Sequence, residues 1–316
     1  MSKYGIPYQG NKSKIAEDII FALPSGKRLV DLFGGGGAIT HCAALSEKWS
    51  EIYFNDINPL MPELLNKAIH GYYNYERFKP EFITREKFFE LKDKDGYVRC
   101  VWSFGNNGDS YLFGADIEKQ KEAMHNAIVF EDYTQAKALG IDTSCLEGVK
   151  GIKKRRYAWR KYLSQQDGIE RKNGHLYLNG ANIENAQGLQ QLERLEQLER
   201  LELSFHSHTY SDYQYREGDV VYCDIPYEQN NKGKCNDYDN NNVFDNLAFY
   251  QWAKTRPFPV YFSSYEISDK DFECVWQKKV ISTMSETNNT VERLEKIYVN
   301  KVCKGINKQL NFFELC

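Results

Sequence analysis

The chain has 316 residues, with 41 Lys+Arg against 44 Asp+Glu and a formal net charge of −3. Its 41 % hydrophobic content is enough for a packed core and excludes a disordered chain, and the length suits roughly two domains. The near-neutral balance excludes a histone-like wrapper, and no apolar run approaches the roughly 18 residues of a membrane span.

In chain order, the first 75 residues read as α/β. Lys27 to Phe33 is a short apolar strand that stops at four glycines, Gly34 to Gly37. A helix-compatible stretch runs from Ala38 to Leu45, a second strand from Glu51 to Asp56, and a further helix from Asn58 through Leu64, Leu65 and Ala68. Strand, glycine turn, helix, strand, helix is the rhythm of a parallel sheet. From Tyr75 to Asn185 that rhythm is lost, and residues 76–188 are expected to form a mainly helical inserted module. Within it Lys153 to Tyr162 carries six positive charges and no acid. Leucine then recurs every third residue from Leu189 to Leu201. On a helix that stripe drifts by roughly 60° per step, a poor coiled-coil seam, and a helix packed on a curved neighbour is expected.

The α/β rhythm resumes with a buried-type strand, Asp219 to Cys223, ending at Asp224-Ile225-Pro226-Tyr227. An Asn-rich loop follows, with seven Asn in the 17 positions from Asn230 to Asn246; it reads equally as a lid or as disorder. Strands are expected at Val260 to Tyr265, Val275 to Ile281 and Leu294 to Val299, the last two pairing antiparallel at the sheet edge. The fold class is therefore α/β with a mostly parallel Rossmann-like sheet, divided as residues 1–75 and 189–316 for the sheet domain and 76–188 for the insert.

The glycine loop lies between a strand and a helix. Without Cβ atoms the backbone turns sharply and approaches a ligand closely, while the helix N-terminus behind it attracts polar groups. Asp56, ending the next strand, stands where an acid accepts hydrogen bonds from ribose hydroxyls. Thr40 breaks the dinucleotide G-x-G-x-x-G fingerprint, and F-x-G-x-G suits an adenosine-and-methionine cofactor better than a pyrophosphate. A plain flexible turn is the competing reading of the glycines alone. In Asp224-Ile225-Pro226-Tyr227, a carboxylate, a backbone carbonyl and a ring come in immediate succession. The first two can each accept one N–H of an exocyclic amino group, and the ring can stack on the base. Drawing off both hydrogens turns the nitrogen lone pair toward the sulfonium methyl of S-adenosylmethionine, with no metal and no covalent intermediate. Alone, the motif reads as easily as a strand-ending turn.

Four motifs occur in one order: Pro7 to Lys12, Asp31 to Gly37, Asn55 to Asn58 and Tyr222 to Tyr227. In this the chain resembles the Dam-like adenine-N6 DNA methyltransferases over about residues 4–70 and 204–300. The resemblance implies S-adenosylmethionine as cofactor and double-stranded DNA as partner, with base flipping. It implies that Tyr8 lies against the cofactor adenine or closes the pocket, that Lys12 supports the loop and cofactor, that Phe33, Gly35 and Gly37 line the methionine and ribose, and that Gly10 and Asp31 belong to the same cofactor site. Asp56 would bind the ribose hydroxyls and Ile57 would pack on the adenine. Asp224, which also borders the cofactor, would hold the flipped adenine together with Ile225, Pro226 and Tyr227. The family carries proline where this chain has Ile225; isoleucine supplies the same carbonyl but not the fixed φ, so a catalytically impaired cofactor- and DNA-binding relative is the alternative. Methylation of cytosine N4 or of RNA adenine shares the same chemistry.

DNA phosphates are expected at the basic run from Lys153 to Lys161, Arg155 included, with Lys153, Arg156 and Arg160 sharing one helical face and Lys154 and Lys161 another; a solvated charged helix is the competing reading. Trp159 and its flanking tyrosines are expected to pack that helix down. Ser103 to Tyr111, with Asn106 and Asn107, loosely resembles the family's recognition hairpin, though a simple Asn-Gly turn fits as well. The eight cysteines form no C-x-x-C pair and the histidines show no ligand spacing, so no metal site is expected, and His206 and His208 are taken as structural. The N-terminal residues hold no apolar signal region, which points to a cytoplasmic protein. Nothing in the chain suggests an obligate protein partner.

Overall fold

The computed structural model describes residues 3–74, 78–165, 170–172, 175–177, 195–198, 202–228, 244–282 and 291–301. Seven strands form the main sheet: β1 (Arg28–Asp31), β2 (Glu51–Asn55), β5 (Glu202–His206), β6 (Asp219–Cys223), β7 (Val260–Ser264), β8 (Phe272–Ser282) and β9 (Val291–Asn300). Their spatial order is β5-β2-β1-β6-β7-β9-β8. The first five run parallel, whereas β9 is antiparallel to β7 and β8 antiparallel to β9. A two-stranded ribbon, β3 (Glu170–Lys172) with β4 (His175–Tyr177), lies apart from this sheet. β1 and β6 are buried along their whole length because helices cover a parallel sheet on both faces. Among the described residues β8 is paired on one side only; it breaks register between Cys274 and Trp276 and exposes Glu273, Lys278 and Lys279.

The chain divides into two compact units. The sheet unit comprises Ser2–Gly5, Gly10–Glu63 and Arg200–Cys316; the helical unit comprises Ile6–Gln9 and Leu64–Glu199, with Met1. The helical unit is therefore wider than the expected 76–188 and also takes in a short N-terminal piece. Its edge falls inside α3 (Leu60–Ile69), a helix that the sequence pattern assigns whole to the sheet domain.

In the sheet unit, α1 (Ala16–Ala22), α2 (Ala38–Ser46) and α9 (Asn246–Lys254) flank the sheet. The core gathers Val30, Val221, Phe249, Tyr250, Val260 and Phe262, and Ile225 is part of it at 2 % exposure. The helical unit holds α4 (Arg85–Leu91), α5 (Gly96–Val101), α6 (Glu118–His125), α7 (Thr134–Ala138) and α8 (Ile152–Ser164). Its core is aromatic: Phe82 meets Trp102 edge-on at 5.2 Å and lies parallel to Phe113 at 6.1 Å. Among the described residues no helix is long and apolar enough to cross a membrane. The leucine stretch 189–201 lies mostly outside the described residues; Leu195–Leu198 is a 3-10 turn. Most of the Asn-rich loop lies outside them too.

Candidate active site

β1 and β6 are neighbours, and beside β1 the strand order reverses, since the chain goes from β1 out to β2 and β5 and returns to β6 on the other side. Ligands of open α/β sheets bind at the carboxyl ends of strands at such a point. The glycine loop leaves β1 there and Asp224 leaves β6 there.

The loop is built by its own backbone. The Gly37 N–H donates to Gly34 O at 2.7 Å, the Gly34 N–H to Asn55 O at 2.9 Å, and the Gly35 N–H to Asp56 Oδ2 at 2.7 Å. Asp56 also accepts the Asn58 N–H, at 2.9 Å, so its carboxylate ties the loop to the end of β2. Gly37 caps α2 at φ 66°, and a Cβ on Gly34 would lie 2.0 Å from the Phe54 ring. The loop is thus closed from behind. Ile57, next to Asp56, is 72 % exposed. Phe33 stacks on Tyr210 at 5.5 Å and meets Phe244 edge-on at 5.6 Å.

Asp31, the last residue of β1, is buried. Its Oδ2 accepts from Thr40 Oγ1 at 2.8 Å, while Oδ1 has no partner. Burial pushes its carboxyl up to about 7, with Thr40 opposing and Asp224 adding to the rise.

At the end of β6, Lys12 Nζ lies 2.9 Å from Asp224 Oδ1 and 4.7 Å from the centre of the Tyr227 ring. The Tyr227 hydroxyl donates to Glu295 Oε1 and lies 3.4 Å from Asp224 Oδ1. Lys12 and Tyr227 thus both address Oδ1, and among the described residues no donor is seen on Asp224 Oδ2. Burial raises the Asp224 carboxyl and Lys12 opposes the rise; burial pulls Lys12 down, but Asp224 and Glu295 outweigh it and hold the ammonium above its ordinary value. Sequence reasoning did not find Glu295. Its signal is the alternation of β9, where Glu295 falls in phase with buried Ile297 and Val299.

The structure brings together Lys12, Asp224 and Tyr227, and separately Gly35 with Asp56; Pro226 is half-buried beside them in sequence. Gly10 is exposed at φ 79° with open space around it, and Tyr8 belongs to the helical unit, half-buried. His208 bonds Tyr53 and His206 stacks on the same ring at 4.0 Å, within the packing of the sheet.

In the helical unit, α8 buries Ile152, Arg155, Arg156 and Trp159, spaced i, i+3, i+4, i+7. The phosphate role expected of Arg155 is corrected. Its Nε donates to Ile128 O at 2.6 Å, and its NH1 pairs with Glu131 at 2.6 Å and reaches Val149 O at 3.2 Å, so the guanidinium holds the interior together. Arg156, 6 % exposed, likewise faces inward, so the expected face is split, with Arg156 buried while Lys153 and Arg160 reach solvent. Lys153, Lys154, Arg160 and Lys161 are exposed. Tyr157 is 72 % exposed, contrary to the packing role expected of it, while Trp159 is buried. The carboxamides of Asn106 and Asn107 serve their own loop: Asn106 Nδ2 donates to Cys100 O at 2.7 Å, and Asn107 Oδ1 accepts from the N–H groups of Asp109 and Ser110. Phe104 in the same loop is 66 % exposed. Among the described residues no group of three His, Cys, Asp or Glu could hold a metal ion.

A strand order with two antiparallel strands at one edge, a glycine loop after β1 and an acid-led motif after β6 define a Rossmann-like methyltransferase. The family model for D12 class N6 adenine-specific DNA methyltransferases matches residues 8–297, and the chain belongs to that family. It is accordingly an adenine-specific DNA methyltransferase. A search of curated protein sequences returned no match.

Proposed function

We propose that the protein transfers a methyl group from S-adenosylmethionine to N6 of an adenine flipped out of double-stranded DNA. The observation that carries this reading is Asp224 at the end of β6, with Oδ1 engaged by Lys12 and no donor seen on Oδ2 among the described residues, one strand away from the glycine loop.

The residues fit the cofactor. The unpartnered, buried Oδ1 of Asp31 suits an ammonium group, Asp56 stands beside the loop for hydroxyls, and exposed Ile57 offers an apolar face to an adenine. When bound, S-adenosylmethionine supplies a methyl on a sulfonium, an electrophile that needs no activation by the protein. Asp224 Oδ2 and the Ile225 carbonyl accept the two N–H groups of the target amine, which pulls its lone pair out of conjugation. With the cofactor bound, Asp224 Oδ2 would be placed to take the proton that the amino nitrogen sheds on accepting the methyl group. Tyr227, anchored at its hydroxyl, offers a ring to the base. Such a pocket is out of reach of a stacked base, so the target must leave the duplex. The exposed cations of α8, Lys153, Lys154, Arg160 and Lys161, supply phosphate contacts. Cytosine N4 would suit the same clamp; the family assignment favours adenine.

Transfer of tritium from labelled S-adenosylmethionine to unmethylated DNA tests the reading. Asp224→Ala should cut transfer about 100- to 1000-fold by removing an acceptor from a dry site. Wild-type transfer in that variant, with its fold intact by circular dichroism, sinks the mechanism.

A further inference from the structure

Glu295 is 2 % exposed on β9, a position that strand alternation reserves for apolar side chains. Lys12 is already neutralised by Asp224 at 2.9 Å. A second carboxylate, 4.0 Å from the same ammonium, adds a negative charge to the interior that folding alone does not require. What Glu295 does have is the hydroxyl of Tyr227, which donates to its Oε1. Tyr227 is thereby gripped at its oxygen by Glu295, at its ring by the cation of Lys12, and at its edge by Tyr265, whose centroid is 4.7 Å away. Without Glu295 the hydroxyl would turn to Asp224 Oδ1, already 3.4 Å away, and compete with Lys12 for it.

Resting on the function proposed above, we infer that Glu295 is a positioning residue for methyl transfer: through the Tyr227 hydroxyl it fixes the ring that receives the target base, and through Lys12 it sets which oxygen Asp224 presents to the amine. It touches neither substrate nor cofactor. Its effect is on geometry and on the charge beside Asp224.

The test compares wild type, Glu295→Gln, Tyr227→Phe and the double variant on unmethylated DNA with saturating S-adenosylmethionine. Glu295→Gln keeps the shape but replaces a charged acceptor by a neutral one, loosening the hold on the Tyr227 hydroxyl, and should lower kcat about 10-fold with the KM for cofactor little changed. The acid limb of the kcat profile should move to lower pH, because one negative charge is gone from beside Asp224. The other groups facing Glu295, namely Lys12, Tyr222, Tyr227 and, beyond them, Tyr265 and Arg293, are the same in both proteins. The double variant should be no worse than Tyr227→Phe alone, since that change deletes the bond that Glu295→Gln only weakens by making its acceptor neutral. Wild-type kcat and an unmoved acid limb in Glu295→Gln, while Asp224→Ala is inactive, would overturn the inference and leave Glu295 a structural residue. Should Glu295→Gln fail to fold, Tyr227→Phe cuts the same bond from the other end, and full kcat there also overturns it. No transfer by the wild type itself would instead bring down the proposed function, and this inference with it.

Discussion

Burial holds the Asp31 carboxyl up at about 7 despite the hydroxyl of Thr40, and one of its oxygens has no partner. An ammonium group beside it would favour the ionised form, so affinity for S-adenosylmethionine should fall as pH drops through about 7. Calorimetric titrations at pH 6 and pH 8 check this, and Asp31→Asn should bind weakly and equally at both. Ile225 poses the complementary question of backbone geometry. The aliphatic side chain is 2 % exposed among Val221, Phe249 and Phe262, so packing holds the peptide where a proline ring would hold it by φ. Ile225→Pro should therefore leave methyl transfer within a few-fold while costing about 1–3 kcal/mol of stability through lost core volume, read by denaturant unfolding. The acid-led motif and the glycine loop were legible because turn and strand signals flank them. Glu295 was not, since a single acid in an alternating strand looks like any solvent-facing position until the phase of the strand is known.

The helix α8 shows where charge misleads. Its basic run is plain in the sequence, but two of the four inward positions are arginines, and hydropathy gives no stripe to mark the buried face. Arg155 works there because its donors meet carbonyls and Glu131, and a buried charge so paired is costly to break rather than to keep. Two variants separate the faces. Replacing Lys153, Lys154, Arg160 and Lys161 by Gln should flatten the salt dependence of DNA binding by about 0.9 per lost phosphate contact, with the melting temperature unmoved. Arg155→Ala should instead destabilise the protein by about 2–5 kcal/mol, through the cavity it leaves and the carbonyls of Ile128 and Val149 that lose their donor. If the fourfold variant keeps the wild-type salt slope, the DNA lies elsewhere.

The sheet unit follows the strand and turn signals closely, because a parallel sheet buried on both faces writes itself as apolar runs. The helical unit does not, since its core is a mosaic of aromatic rings with charged side chains folded inward. Lys121 is the extreme case: it is 1 % exposed, Nζ has no hydrogen bond, and burial pulls its ammonium down to about 7. A lysine lowered on folding binds fewer protons in the folded chain than in the unfolded one. Stability should therefore rise with pH from about 7 until the unfolded lysine also loses its proton. Lys121→Met should remove that slope and raise stability at pH 6 by about 1–3 kcal/mol, the cost of a buried unpaired donor. Thermal melts of both proteins at pH 6 and pH 9 measure it; equal gains at both would mean that the side chain is not titrating.

Among the described residues β8 ends the sheet with a long row of backbone groups that pair with no further strand, an edge that another extended chain could join. The break in register at Cys274 bends that template, and Lys278 and Lys279, paired with Asp18 and Glu292, are charged groups that a second copy would have to desolvate. The margin of the sheet, far from strands β1 and β6 in the strand order, thus bears on how concentrated this protein can become before it aggregates.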